Sequence, residues 1–201
     1  MSSGSAFLRT GLAALCVSIP ALASAHTGVG STLGFAHGFV HPIGGIDHVL
    51  AMVAVGMFAA TVGGRALWSL PLAFMALMAV GGAAGMAGMP LPFVEIGIAL
   101  SIVILGLVVA VRFNWPVTAA MALVCLFAIF HGHAHGTEMP LAASGAAYAL
   151  GFVIATGLLH IAGIAIGLAI SSTGERHSRR IAQIGGAAVA VAGVLVLSGV
   201  I

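Results

Sequence analysis

The chain has 201 residues, 61% of them hydrophobic and only 5% charged, whereas a soluble domain carries about 25% charged residues. Ten charged side chains cannot cover a water-facing surface. Six arginines against four acids give a formal net charge of +2. Lysine is missing altogether, which excludes a Walker A phosphate loop, a retinal Schiff base and a pyridoxal enzyme. Nine histidines remain. Imidazole is costly in lipid without a partner or a task, so function is sought there.

Residues 1–25 read as a cleaved secretory signal. Arg9 precedes an apolar stretch from Gly11 to Ile19, Pro20 breaks it, and Ala23, Ser24 and Ala25 form a small-x-small end. Cys16 falls in this leader and Cys125 in an apolar span, so no disulfide framework is expected in the mature chain. The rest, 26–201, forms a single transmembrane domain. Its apolar runs are about twenty residues long, the length that crosses a hydrocarbon core. Six spans are predicted at 40–62, 67–88, 93–112, 116–133, 142–171 and 181–201. The fold class is all-α, a polytopic six-helix membrane bundle.

A secreted leader and six crossings place both mature termini in the periplasm. The arginines agree. Arg65 lies between spans 1 and 2, Arg112 at the end of span 3, and Arg176, Arg179 and Arg180 between spans 5 and 6. All therefore fall on the cytoplasmic side of a bacterial inner membrane. Glycines at four-residue spacing, such as Gly81 with Gly85 and Gly163 with Gly167, let helix backbones approach closely where lipid supplies no hydrophobic drive.

Two polar clusters interrupt the apolar pattern. The first runs from His37 through His41-Pro42 to Asp47-His48 at the start of span 1. On a continuous helix His37, His41 and His48 would share one stripe; since Pro42 favours a first turn and disfavours helical geometry at His41, the alternative is a helix starting at Pro42 with His41 reaching across from an irregular entry segment. The second, His131-Gly-His133-Ala-His135-Gly-Thr137-Glu138, closes span 4. If the helix continues, His131, His135 and Glu138 share a face at i, i+4 and i+7, and His133 turns away. Both clusters sit at the outer ends of their spans and can meet in one vestibule. Neutral imidazole with carboxylate suits Ni, Co, Zn or Cu(II), whereas Mg and Ca prefer oxygen shells.

The remaining candidates stand apart. His26, at the expected cleavage point, combines a free amine with an imidazole and is a candidate capture ligand. His160, alone in span 5, is either hydrogen-bonded to a neighbouring helix or a deeper ligand on a permeation path. Met75, Met78 and Met86 read as ordinary fillers of irregular helix contacts.

These motifs carry a family resemblance. The chain resembles the HupE/UreJ nickel permeases in His41-Pro42 through Asp47-His48 with the following Val-Leu-Ala-Met-Val-Ala-Val-Gly, in Phe130-His131 through Glu138, and in Ala155-Thr156 through His160. The resemblance implies a permease rather than an enzyme, importing Ni(II) or Co(II) by a secondary or facilitated route. It puts the metal-handling residues at His41, Asp47, His48, His131, His135 and Glu138. The expected partners are the divalent cation and the bilayer, with no organic cofactor and no nucleic acid, and the oligomeric state stays open. The alternative from another class is a haem-binding electron-transfer protein, which needs facing histidines in mid-membrane. A serine protease pairing Ser144 with His160 is excluded by their spacing along one helix.

Overall fold

In lipid every backbone N–H and C=O must find its partner inside the protein, and helices meet that demand segment by segment. The computed structural model describes residues 30–139 and 145–200, and those residues form seven helices with no strand among them. In chain order they are α1 (Gly30–Gly44), α2 (Ile46–Val62), α3 (Ala66–Met86), α4 (Val94–Val111), α5 (Val117–Thr137), α6 (Gly145–Ser171) and α7 (Glu175–Leu197). The leader and His26 lie outside the described residues.

Helices α3 to α7 are each long and apolar enough to cross a membrane. A sixth candidate is a bent pair of helices. The α1 and α2 segments qualify together but are bent by 79°, where a single continuous helix over 40–62 was expected. Pro42 forfeits the bond to the carbonyl of Gly38 but stays within α1, so His41 is helical rather than part of an irregular entry. The break falls at Gly45, which is extended (φ −91°, ψ 115°) and directly precedes α2. Gly44 and Gly45 in succession are the weakest helix formers short of proline. Asp47, in the first turn of α2, accepts the backbone N–H of His48 on Oδ1 at 2.8 Å and places a negative charge at the helix's positive end. A Cβ on Gly45 would come within 2.7 Å of that oxygen.

Short connections make successive helices antiparallel, and α2 occupies the centre, touching α1 and α3 through α7. Met52, Val55 and Phe58 of α2 pack with Leu70 and Phe74 of α3, Ile102 and Leu105 of α4, and Val124 of α5, all fully buried. The outer faces are apolar too: Trp68, Leu72, Val80, Leu126, Ile161 and Ile184 are exposed. An apolar exterior around an apolar core is what a bilayer solvates.

Glycine sets the closest approaches. A Cβ on Gly81 would strike the carbonyl of Ile129, one on Gly85 that of His133, and one on Gly132 that of Met78, so α3 and α5 meet backbone to backbone. Gly56 and Gly163 do the same for α2 and α6, and Gly106 and Gly186 for α4 and α7. Helix α1 is seated on α6 through Gly38 against Tyr148 and Gly151 against Phe35. At the other end of the bundle Arg112 occupies the left-handed cap of α4 (φ 51°) and donates from Nη1 to Ser178 Oγ at 2.7 Å, fastening α4 to α7.

Candidate metal centre

Helix α5 does not stop at residue 133 as expected but continues to Thr137, carrying all three histidines of its motif on regular turns. The i, i+4, i+7 relation of His131, His135 and Glu138 is thereby realised. The start of α2 and the end of α1 bring His48 and His41 to the same place.

His135 joins two groups of donors. Its Nδ1 is 3.0 Å from His41 Nε2 and 3.3 Å from Glu138 Oε2, and His41 Nε2 is itself 3.0 Å from that oxygen. On the ring's other side Nε2 is 3.0 Å from His48 Nδ1. His41, His135 and Glu138 thus form a partly exposed outer group. His48, His131 and His135 form an inner one, with the donor atoms of each group within 4.8 Å of one another. Imidazole nitrogen binds a first-row dication such as Zn(II) at about 2.0–2.1 Å. Two donors at right angles around such an ion are therefore about 2.9 Å apart, and tetrahedral donors about 3.4 Å. The outer spacings of 3.0, 3.0 and 3.3 Å fall in that interval.

The inner group is held by groups that fix its tautomers. Ser101 Oγ donates to the carbonyl of Ile98 at 2.6 Å, which uses its single proton. At 2.8 Å from His131 Nε2 it must then accept. His131 consequently carries its proton on Nε2 and presents the Nδ1 lone pair, which is buried and has no hydrogen-bond partner among the described residues. An imidazole oriented through its far nitrogen is the usual arrangement of a metal ligand. His48, fully buried, places Nε2 3.3 Å from Thr156 Oγ1 of α6. Phe152 of α6 closes the side, its ring centroid 4.7 Å from that of His135 and 5.3 Å from that of His48.

Glu138 lies just beyond α5. Hydrogen bonding to His135 holds its carboxyl below the ordinary value of 4.5, partial burial opposes this, and the bond to His41 adds to it. The outer group therefore contains a carboxylate that stays ionised in mildly acidic water.

Other sequence candidates fall elsewhere. His37 is exposed on α1 and outside both groups. Asp47 is also outside both, its Oδ1 being engaged with the backbone of His48. His133 turns away, as expected, and donates from Nε2 to the carbonyl of Met89 at 2.7 Å. His160 is buried in α6, its ring 5.4 Å from Phe74. Sequence reasoning did not assign roles to Ser101, Thr156 and Phe152. A lone hydroxyl in an apolar span was the available signal for Ser101, and none existed for Phe152.

The close ring packing bears on the haem alternative. His48 and His135 have centroids 4.8 Å apart, and His48 and His131 5.5 Å apart. A porphyrin has no slot between rings already in contact. Ser144 of the protease pairing lies outside the described residues.

The family model described as HupE / UreJ protein matches residues 13–196. This chain belongs to the HupE/UreJ family. It is 44% identical over 192 residues to Protein HupE of Rhizobium leguminosarum bv. viciae, covering 96% of this chain and 97% of that protein. No solved structure matches it. The chain is a multi-pass helical membrane protein of that family.

Proposed function

We propose that this protein imports a divalent transition-metal ion, Ni(II) in the first place and Co(II) as its nearest competitor, across the bacterial inner membrane. The observation that carries the reading is the bridging position of His135, whose two ring nitrogens each belong to a different donor group. A hydrated cation exchanges waters for His41, His135 and Glu138 at the periplasmic mouth. It then passes to His48 and His131 as His135 changes the nitrogen it offers. Each handover keeps several donors on the ion, so no step requires a bare dication in low dielectric. Imidazole with a single carboxylate favours Ni(II) or Co(II) over Mg(II).

Orientation follows from charge. Arg65, Arg112, Arg176, Arg179 and Arg180 stand at the helix ends opposite the donor groups, so the positive-inside rule puts those groups on the periplasmic face and both termini with them.

The test is uptake of radioactive nickel by cells carrying the protein, with cobalt, zinc and copper as competitors. His48→Ala and His135→Ala are expected to abolish uptake while the protein still reaches the membrane. Full accumulation by His135→Ala would remove the bridge and with it this reading.

A further inference from the structure

The sequence left two fates for His160, a hydrogen bond to a neighbouring helix or a place on the ion's path. The described residues offer no partner for the first. The side chain is 1% exposed, and among the described residues neither Nδ1 nor Nε2 has a hydrogen-bond partner. A buried imidazole always carries at least one N–H and, when neutral, one lone pair. Leaving both unmatched in an apolar interior is unfavourable. A His held only for packing is readily replaced by a residue without that penalty. His131, His133, Tyr148, Trp115 and Ser69 each have one unmatched buried atom, whereas His160 has both ring nitrogens unmatched among the described residues.

The position of His160 gives the orphaned nitrogens a use. It stands four residues after Thr156 on α6, hence on the same face and about 6 Å further along the helix. Thr156 is the residue that touches His48 of the inner donor group. Helix α6 begins at the end of the bundle where the donor groups lie and runs away from it, so His160 is one turn deeper than Thr156. Phe74 touches both levels, its ring centroid 5.9 Å from His131 and 5.4 Å from His160. The backbone at His160 is fixed as well, since its carbonyl lies directly against Gly56 of α2.

We infer that His160 is a third coordination station, one helical turn inward of the His48–His131–His135 group, which takes the transition-metal dication from that group on its way to the cytoplasmic side. Thr156 lies between the levels and supplies a hydroxyl oxygen for the passage. The inference rests on the import reading above and extends it to the membrane interior. A single imidazole with a hydroxyl binds more weakly than the group above it, which lets the ion leave inward rather than stay.

The experiment uses the full chain in proteoliposomes, with Ni(II) as the probe for both equilibrium binding and uptake. His160→Gln keeps a polar side chain of similar reach. It is expected to leave Ni(II) binding at the outer groups within about twofold and to lower the maximal uptake rate about tenfold or more. A second variant, His160→Cys in a Cys125→Ser background, reads the path directly. A thiolate at this station holds soft Cd(II) tightly, so Cd(II) is expected to block Ni(II) uptake at concentrations that spare the Cys125→Ser parent. Wild-type uptake by His160→Gln, or Cd(II) insensitivity of a transporting His160→Cys variant, would overturn the inference. A His160→Gln variant that loses Ni(II) binding together with uptake would overturn it equally, because the residue would then support the outer groups. Failure of the wild-type chain to bind or transport Ni(II) would instead sink the import reading itself.

Discussion

At the residue scale the donor groups depend on side chains whose remaining atoms are already engaged. His131 presents Nδ1 because Ser101 has spent its proton on Ile98 and can only accept. Glu138 stays ionised in the mildly acidic range, since hydrogen bonds to His135 and His41 hold its carboxyl below the ordinary 4.5. A carboxyl whose folded value is depressed contributes fully above its ordinary value and loses that contribution as pH falls through the lowered one. Glu138→Gln is therefore expected to weaken nickel uptake most at limiting metal, by about tenfold. Nickel-binding titrations at neutral pH, where the Glu138 carboxylate is ionised, check this, and a Glu138→Gln variant that binds as tightly as wild type would contradict it. Asp47 calls for a different test. Its carboxylate accepts the His48 N–H within the first turn of α2 rather than joining either donor group, and an asparagine side-chain oxygen can accept the same bond. Asp47→Asn is expected to retain nickel uptake within about threefold while Asp47→Ala loses it, because the acceptor beside the His48 backbone is gone. Equal loss in both variants would make the charge of Asp47, not its acceptor oxygen, the essential property.

At the scale of the elements, the site exists because one expected span is two helices. A straight helix over 40–62 would carry His41 and His48 along one stripe, whereas the 79° bend at Gly45 turns α1 back over the end of α6. That turn brings His41 across to His135 and Glu138. The sequence supplied the ingredients, Pro42 and the Gly44-Gly45 pair, but local propensity does not specify the angle; the packing of Gly38 on Tyr148 and of Gly151 on Phe35 does. The α2–α6 contact matters as much, since it sets the height of Thr156 and His160 against His48. Gly163 leaves no room for a Cβ against Val53 and Gly56. Gly163→Leu is expected to force α6 away from α2 and to cut uptake about tenfold or more while nickel binding by the outer group is largely kept. Binding and uptake measured on one preparation test this, and undiminished uptake would mean that the two helices need not touch. A Gly163→Ala control grades the effect by size.

At the scale of the molecule, the proposed orientation sets the direction of work. The two His-rich groups lie at one end and five arginines at the other, so with the arginines inside, as proposed, an inside-negative potential draws a dication from the first toward the second. The gain is about 2.3 kcal/mol per charge per 100 mV, roughly 4.6 for a dication, or more than about a thousandfold accumulation without ATP. Nickel accumulation in proteoliposomes is expected to follow an imposed potassium diffusion potential and to vanish when the potential is set to zero at equal nickel on both sides. Accumulation against a gradient at zero potential would require a coupled ion instead. Apolar runs made the all-helical membrane class and the positions of α3 to α7 legible in sequence, because bilayer solvation acts on each segment separately. Periodicity also put His131, His135 and Glu138 on one face, since a helix fixes its own neighbours. It could not show that Asp47 bonds the His48 backbone and stays outside both donor groups, that His37 is left outside, or that His135 is shared by two groups. Those facts depend on contacts between α1, α2, α5 and α6, far apart in the chain, and on where glycine lets two backbones meet. Only the packed bundle decides them.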